Sequence, residues 1–165
     1  MNYLQLNSFK KGNDFIKFQE GKFEVVFSTA ENNKSFNRNT EEGIKELEAL
    51  IDKFHGENVE YLKQIHSNKV YTYRKGSNEF KDNEGDALIT NEKKVIIGVF
   101  TADCVPVILV DKENEAIAAI HSGWKGTFSS IVTETILRMK EEYNSKAENI
   151  VAYIGPHIRQ CCYEV

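Results

Sequence analysis

The order of apolar and polar positions along the chain predicts many short strands interrupted by helices. Alternating or continuous apolar runs of strand length occur in the segments KFEVVFST, VEYLKQI, KVYTYR, DALIT, VIIGVFT, VPVILVD, EAIAAI and NIVAYIG. The polar stretch DKENE, which separates two of these runs, predicts a hairpin connection. Strands mixed with few helices in this way predict an α+β fold with a mixed or largely antiparallel sheet.

Two segments have the spacing of amphipathic helices. From Glu41 to Phe54 apolar residues recur with helical period, Asn39 is the expected N-cap, and Gly56 lies just past the expected end. A second helix is predicted after Gly126. The apolar face of this helix is expected to comprise Phe128, Ile131, Val132, Ile136, Met139 and Tyr143.

Length and charge limit the class of protein. A chain of 165 residues predicts a single domain over residues 1–165. The net charge of -4 and the pI near 5.6 argue against a nucleic-acid-binding protein, because phosphate backbones bind basic surfaces. No apolar run has the length of a membrane span, so no membrane partner is expected.

The cysteines indicate a reducing compartment. Their number is odd, and no secretory signal is visible at the N-terminus, so reduced thiols and a cytoplasmic location are expected. Adjacent Cys161 and Cys162 are predicted to be two small residues in a turn rather than a vicinal disulfide.

Three predicted strand ends carry side chains suited to metal binding or nucleophilic chemistry, which are His66, Cys104 and His121. Their wide spacing is not that of a structural zinc site, where ligands come in close pairs. It is compatible with a catalytic site of three protein ligands assembled from several strand ends. Each residue also has an ordinary structural interpretation. His66 would be an exposed loop residue, Cys104 a buried small apolar residue, and His121 the cap of a strand.

The segment HSGWKGT predicts a strand, a glycine-rich turn and the start of a helix. Gly123 and Gly126 would let backbone N–H groups approach an anion, and Lys125 would add a positive charge. A purely structural turn, with Trp124 in the core, explains the same residues equally well.

Two acidic residues lie beside these candidates. Asp86, in EGDALIT, is interpreted as a turn residue in preference to a charge that faces the site. Asp103 precedes Cys104, and it would either orient a metal ligand or cap a local turn. His157, in IGPHI, is predicted to be an exposed loop residue.

Five motifs then occur in a recognisable order, and they are QIHSNKVY, GDALITN, FTADCVPVILVD, AAIHSGWKGT and IGPHIRQCCYEV. From about Val59 to Val165 the chain closely resembles the YfiH family. That family is also called the laccase-domain or polyphenol-oxidase family, and it is described as purine nucleoside phosphorylases with adenosine deaminase activity.

The resemblance implies a four-layer αββα sandwich and a single YfiH-like, laccase-type domain. It implies that His66, Cys104 and His121 form a metal-binding and catalytic triad, with zinc as the expected ion and copper as the alternative. Lys125 stands where the family usually has arginine, so a substrate or phosphate role is implied for Lys125, Gly123 and Gly126. The implied substrates are phosphate and purine nucleosides, namely adenosine, inosine, guanosine and methylthioadenosine.

The sequence departs from the family pattern in two places. Ala30 replaces an arginine, and the loop from Ala30 to Asn39 is shortened, which would weaken phosphorolysis if that arginine binds phosphate. The family's C-terminal third is absent, so part of the sheet and of the pocket is expected to be missing.

Three other functions stay open from the sequence. They are a copper-dependent polyphenol oxidase, a metal-free hydrolase with Cys104 as nucleophile, and a degenerate module that binds nucleosides without turnover. The sequence does not fix the preferred nucleoside, the general acid or base, the balance of phosphorolysis and deamination, or the oligomeric state.

Overall fold

Ten strands and three α-helices occur in the part of the chain that the computed structural model describes, which is residues 10–12, 14–29, 31–77 and 80–163. The strands are β1 (Lys10–Lys11), β2 (Phe15–Glu20), β3 (Phe23–Ser28), β4 (Asn58–Glu60), β5 (Val70–Thr72), β6 (Ala87–Thr90), β7 (Val95–Ile97), β8 (Val105–Asp111), β9 (Ala116–Ser122) and β10 (Ile150–Ile154). The helices are α1 (Glu41–Lys53), α2 (Trp124–Phe128) and α3 (Ile131–Tyr143). Ala30 lies outside the described residues.

A five-stranded sheet in the order β10-β8-β9-β6-β5 is the centre of the described fold. Its neighbours pair antiparallel except β6 and β5, which are parallel, so the predicted mixed sheet is confirmed. The predicted hairpin joins β8 to β9 across residues 112–115. The carboxylate of Asp111 holds this turn by accepting the N–H groups of Glu113 at 3.0 Å and Asn114 at 3.3 Å.

Side chains alternate along β8, so this strand contributes to two apolar layers. Val107 and Leu109 pack against one face, where α3 contributes Ile131 and Met139. Val110 packs on the opposite face, against the three-stranded sheet β1-β2-β3. The sheet β1-β2-β3 therefore covers the side of the central sheet that α3 leaves open.

The C-terminal end of α1 lies against β2 on the outer face of β1-β2-β3. Phe54 meets Phe15 edge-on with ring centroids 5.5 Å apart, and the Lys17 amine lies 4.5 Å from the Phe54 ring centroid. The layers are therefore α3, the five-stranded sheet, the three-stranded sheet and α1. This is the predicted αββα order, and the structure confirms it.

The N-cap of α1 differs from the prediction. This residue is Thr40 rather than Asn39, because the Thr40 hydroxyl accepts the Gly43 N–H at 3.2 Å. The helix ends at Lys53, and His55 adopts a left-handed conformation with φ 54°. Gly56 lies just past this end, as predicted, and its N–H donates to the Ile51 carbonyl oxygen at 2.9 Å.

Several predicted elements are shorter or divided. Of the apolar run 59–65 only the first two residues belong to a strand, β4, and of the run 95–101 only the first three belong to β7. These two strands pair parallel. The single helix predicted after Gly126 is two helices, α2 and α3, separated at Ser130, whose φ is 62°. Phe128 was expected on the apolar face of that helix, but it belongs to α2 and is 88% exposed.

None of the helices in the described ranges has the length and apolar character needed to cross a membrane.

Candidate metal centre

The three predicted ligands meet at one end of the five-stranded sheet. His66 lies on the loop between β4 and β5, Cys104 immediately precedes β8, and His121 lies near the end of β9. Their ligand nitrogen and sulfur atoms lie within 4.8 Å of one another, so the three side chains could hold a metal ion. Among the described residues this is the single group of three or more histidine, cysteine or acidic side chains with that arrangement.

The fold produces this convergence through strand register. Pro106 pairs with His121 and Val105 with Ser122, which places Cys104 beside the end of β9. The His66 and His121 rings are nearly perpendicular, with centroids 4.7 Å apart. The Cys104 Sγ atom lies 3.7 Å from Nε2 of His66. His121 is buried, Cys104 is half-buried and His66 is exposed, so the cluster opens toward solvent on one side.

Asp86 is the residue that organises the cluster. Its carboxylate is fully buried and accepts the backbone N–H groups of Ile65, His66 and Ser67, the last at 2.6 Å. It also accepts the Ser67 hydroxyl at 2.7 Å and contacts Nδ1 of His121 at 2.8 Å. One carboxylate therefore ties the loop that carries His66 to the strand that carries His121.

The charge on Asp86 determines the tautomer of His121. Burial acts to raise the pKa of this carboxyl, but the hydrogen bonds from His121, Ser67 and His66 outweigh burial and lower the pKa to about 2. The ionised carboxylate can only accept hydrogen bonds, so Nδ1 of His121 must carry the proton. Its Nε2 lone pair is then available to a metal ion, as in other carboxylate–histidine pairs at metal sites.

The preferred interpretation of Asp86 as a turn residue is therefore wrong, and Asp86 rather than Asp103 is the carboxylate that contacts His121. Asp103 is exposed, and its carbonyl oxygen accepts the Ile158 N–H at 3.0 Å. The feature of the sequence that points to a buried role for Asp86 is its position directly before Ala87–Thr90, a strand that is buried at every position. A carboxylate at the start of such a strand has to be compensated by several hydrogen bonds.

The loop that carries His66 is fixed in an uncommon conformation. His66 has φ 60°, a left-handed value that costs a residue with a side chain of the order of 1–3 kcal/mol. The three N–H bonds to Asp86 compensate for this cost. On the same loop, the Gln64 amide bonds to Phe100 in both directions, donating to its carbonyl and accepting its N–H at 2.7 Å each. Backbone strain at a buried polar cluster is typical of functional sites.

Because Gly123 has no side chain, the side chains of His66 and Cys104 can pack directly against its backbone. A Cβ atom at this position would lie 2.6 Å from Cδ2 of His66 and 3.2 Å from Sγ of Cys104. Gly126 is similarly confined, because its Cβ would lie 2.9 Å from the Ser67 carbonyl oxygen. The two glycines are thus needed for close packing of α2 on the His66 loop.

The remaining predicted residues lie at the surface of this region. Lys125 is exposed, with its amine 5.5 Å from the centroid of the Trp124 ring. Trp124 was one candidate for the core, but it is 58% exposed. The helix that begins at Trp124 has only five residues. Its dipole therefore attracts an anion less strongly than the dipole of the long helix expected from the sequence.

The Cys104 thiol at the cluster loses its proton less readily than an ordinary cysteine does. Burial, with smaller contributions from the charges of Asp103 and Asp86, raises the pKa of Cys104. A raised pKa is unfavourable for a nucleophilic cysteine, which needs a thiolate near neutral pH. A bound cation would stabilise the thiolate directly, so the thiol fits a metal ligand better than a metal-free nucleophile.

Other residues noted in the sequence lie apart from the cluster. His157 is exposed, as predicted, and its Nδ1 lies 2.8 Å from the Gly155 carbonyl oxygen. Cys161 and Cys162 are exposed free cysteines in a turn, with Sγ atoms 3.4 Å apart, which agrees with the turn prediction.

Known proteins are similar to this chain in both sequence and fold. A purine nucleoside phosphorylase of Clostridium acetobutylicum is 51% identical over 150 residues, which are 91% of this chain and 62% of that protein. One from Rickettsia prowazekii is 32% identical over 127 residues, or 77% of this chain and 51% of that protein. The chain thus spans between half and two thirds of the length of these curated relatives.

The structural comparisons agree with the resemblance seen in the sequence. The crystal structure of Bacillus licheniformis hypothetical protein YfiH matches with a TM-score of 0.80 at 22% identity, over 95% of this chain and 67% of that one. A Neisseria meningitidis protein matches with a TM-score of 0.75 at 26% identity, over 92% of this chain and 66% of the other. Residues 17–165 match the family described as multi-copper polyphenol oxidoreductase laccase. The chain therefore belongs to this laccase-like family, it shares its fold with YfiH, and its curated relatives are named purine nucleoside phosphorylases.

Proposed function

We propose that this chain is a metal-dependent purine nucleoside phosphorylase in which His66, Cys104 and His121 hold one zinc ion. The observation that carries the proposal is the convergence of the three ligand atoms within 4.8 Å of one another, with the buried carboxylate of Asp86 in contact with Nδ1 of His121. The substrate class comes from the relatives, two of which carry the name purine nucleoside phosphorylase. Because the chain spans 62% of the Clostridium relative, the activity of the whole relative is part of the proposal.

The donor set favours zinc over copper. Two imidazoles and one thiolate are common zinc ligands, and three protein ligands with an open side are the usual arrangement of catalytic zinc. A laccase that reduces oxygen needs several coppers and many histidines. This chain has four histidines, and two of them, His55 and His157, do not belong to the cluster. Oxygen uptake that depends on added copper would favour the oxidase instead.

The chain's own residues would orient the ligands and the substrate. Asp86 holds the proton on Nδ1 of His121 and fixes the His66 loop, while Gly123 keeps the space between the ligands free. Lys125 lies four residues after His121 on α2, and we assign it to phosphate binding together with the turn from Gly123 to Gly126. A bound zinc ion supplies Lewis acidity, which serves phosphate binding in phosphorolysis and water activation in deamination.

Deamination of adenosine is the second activity that the same cluster supports. The exposed side at His66 leaves access for water as well as for phosphate. The two reactions share the metal ligands and differ in the co-substrate, so one protein preparation can be assayed for both.

The test is chromatography of adenosine and inosine after incubation with the zinc-loaded chain, with and without phosphate. The matched controls are His121→Ala, which removes a proposed ligand, and His157→Ala, which removes a histidine outside the cluster. We expect phosphate-dependent release of free base that is lost in His121→Ala and retained in His157→Ala. If adenosine is converted to inosine and no free base is released, deamination is supported and phosphorolysis is contradicted.

Two other functions predict different results. A metal-free hydrolase would keep its activity in chelator and lose it when Cys104 is alkylated. A degenerate binding module would bind nucleosides without converting them. Equal activity in wild type and His121→Ala would contradict the proposal.

A further inference from the structure

We propose that Gln64 is a positioning residue of the metal centre, which holds the segment that leads to Cys104 in place beside His66. This inference rests on the proposed function, because it concerns the same three ligands. Gln64 lies two residues before His66, and its hydrogen-bond partner Phe100 lies four residues before Cys104. One side chain therefore connects the segments of two ligands that are 38 positions apart in the sequence.

The carboxamide of Gln64 bonds to Phe100 in the way that a neighbouring strand would. Its Nε2 donates to the Phe100 carbonyl oxygen, and its Oε1 accepts the Phe100 N–H, each at 2.7 Å. Both distances are at the short end of the range for N–H···O hydrogen bonds. A carboxamide offers a donor and an acceptor side by side, whereas an ionised carboxylate only accepts and an apolar side chain does neither. The paired bonds therefore require an amide at position 64.

The side chain of Gln64 continues a pairing that the main chain has left. The contact of β4 with β7 extends to the Gly98 N–H, which donates to the Glu60 carbonyl oxygen at 3.1 Å. The main chain then turns to a different partner, because Lys63 forms an isolated parallel bridge with Glu84. Gln64 reaches back from this new path, so the two segments stay joined as they approach the metal centre.

The segment between Phe100 and Cys104 needs such a link. Residues 101–103 belong to no helix or strand and are exposed. The Phe100 ring meets the buried Tyr61 ring edge-on, with centroids 5.1 Å apart, which holds the side chain of Phe100. An edge contact between rings does not fix the direction of the peptide groups, whereas two hydrogen bonds to one residue do. Gln64 therefore sets the direction in which the chain enters Cys104.

Asp86 and Gln64 have complementary roles at the centre. Asp86 joins the loop of His66 to His121, and Gln64 joins the same loop to the segment before Cys104. The Sγ atom of Cys104 lies 3.7 Å from Nε2 of His66, so a shift of that segment changes the separation of two proposed ligand atoms directly. Metal–ligand distances vary by only about 0.2 Å around their usual values. Cys104 is therefore the ligand that depends most on Gln64.

Cobalt(II) is the probe that tests this role, because its absorption shows both that an ion is bound and whether a thiolate is among its ligands. Gln64→Met removes both hydrogen bonds and keeps the length of the side chain. Gln19→Met is the matched control, since the Gln19 amide also donates to backbone carbonyls, those of Gly21 and Phe23, but in the β2–β3 hairpin.

We expect Gln64→Met to bind cobalt about tenfold more weakly than wild type, as loss of a residue that supports a metal ligand does. We also expect less thiolate-to-cobalt absorption per bound ion, because Cys104 no longer reaches the ion in every molecule. Gln19→Met should match wild type in both respects. Cys104→Ser should lack the thiolate absorption, which assigns it to this cysteine.

The absorption per bound ion separates positioning from a general loss of stability. A role in folding alone would lower the free energy of unfolding of the metal-free chain, measured in urea, and would leave the ligands of the bound ion unchanged. Gln64→Glu is the second variant if Gln64→Met does not fold. Its carboxylate keeps the size of the side chain and can accept the Phe100 N–H, but it cannot donate to the carbonyl oxygen. We expect a loss of thiolate absorption in this variant too.

The possible failures are distinguishable. Cobalt binding by wild type, with the same affinity and thiolate absorption in both Gln64 variants, would overturn the inference and leave the metal centre supported. Weaker binding with unchanged absorption per bound ion would also overturn it, because Cys104 would still be in place. A wild-type chain that binds no cobalt would contradict the metal centre of the proposed function, and the inference would fall with it.

Discussion

Asp86 shows how one side chain can fix a site whose ligands come from distant parts of the sequence. It holds three consecutive backbone N–H groups of the His66 loop and Nδ1 of His121, and it is fully buried. Removing the carboxylate would leave these donors unpaired, which costs roughly 1–3 kcal/mol for each buried group. The three proposed ligands therefore depend on a residue that is not itself one of them.

Asp86→Asn should lower the affinity for zinc by about 10–100-fold, the usual effect of changing the hydrogen-bond partner of a metal-bound histidine. The amide no longer supplies the charge that keeps the proton on Nδ1 of His121. The measurement is a competition titration of zinc against a chromophoric chelator. Asp111→Asn is the control, because Asp111 is also fully buried and also holds a turn, but in the β8–β9 hairpin. Equal zinc affinity in the two variants would contradict the role of Asp86.

Gly123→Ala should weaken zinc binding, because the new methyl group would lie 2.6 Å from Cδ2 of His66 and would displace that ring. Gly98→Ala is the matched control, since a Cβ atom there meets nothing within 4 Å. Isothermal titration calorimetry of both variants with zinc measures the difference. The account predicts a lower affinity for Gly123→Ala alone, and it is wrong if both variants bind zinc like the wild type.

The sequence motifs identify the residues proposed to bind the metal, but they do not identify the residue that holds these ligands in place. His66, Cys104 and His121 could be named from residue type and motif, and the fold brings them together. Asp86 was interpreted as a turn residue because a Gly-Asp pair before a strand is also typical of a turn. Its burial depends on β9 and on the His66 loop, which are distant in sequence.

At the scale of elements, continuous apolar runs predicted the central strands well and local periodicity misplaced helix boundaries. β8, β9 and β10 follow their predicted segments, since each is an apolar run of strand length. The helical spacing from Ile131 to Tyr143 is confirmed by α3, but the left-handed conformation of Ser130 separates Phe128 from that helix. The short helix before the break makes a tertiary contact, of Gly126 with Ser67, which the local pattern does not encode. The four-layer order came from the resemblance to a family rather than from the pattern.

Glu20 joins the two stacked sheets. Its carboxylate, on β2, lies 2.7 Å from the Lys112 amine in the β8–β9 hairpin and accepts the hydroxyl of Tyr153 on β10. The hydrogen bonds from Lys112 and Tyr153 lower the pKa of Glu20, although partial burial opposes them. Burial, and then the Glu20 carboxylate, raises the pKa of Tyr153 above its ordinary range.

These shifts predict how stability depends on pH. The pKa of Glu20 is lower in the folded state, so its stabilising contribution is complete above the unfolded value of 4.5 and is lost as pH falls through the folded value. Tyr153 has the opposite sign, since its pKa is raised from 10.0. Its contribution is complete below that value and is lost as pH rises through the folded value.

Glu20→Gln should therefore lower the free energy of unfolding by about 2 kcal/mol near neutral pH, the magnitude of hydrogen bonds to a charged group. The loss should shrink below the unfolded pKa. Urea denaturation at a series of pH values measures it. Glu24→Gln is the control, because the ion pair of Glu24 with Lys17 on the same sheet is partly exposed and worth little. A pH-independent loss in Glu20→Gln would contradict the proposed linkage.

At the scale of the whole molecule, metal binding should be coupled to stability. The three proposed ligands come from the loop before β5, the residue before β8 and the strand β9, so an ion that binds only the folded chain would hold these parts together. At a zinc concentration one hundred times the Kd, the folded state gains about 2.7 kcal/mol.

We expect zinc to raise Tm by about 5–10 °C at that concentration and a chelator to reverse the effect. Cys104→Ser should abolish the shift, because a hydroxyl is a poor replacement for a thiolate ligand. Cys161→Ser, at an exposed cysteine outside the cluster, should keep it. Differential scanning calorimetry with and without zinc makes the comparison. A Tm that does not respond to zinc in the wild type would contradict the coupling.

The central claim is that His66, Cys104 and His121 form one metal site, and metal analysis of the purified chain tests it most directly. The chain would be loaded with zinc, freed of unbound ion by gel filtration and analysed by mass spectrometry of the elements, beside Cys104→Ser. The account predicts one zinc ion per wild-type chain and a large loss in the variant. A wild-type chain without zinc, or a variant that keeps it, would contradict the claim.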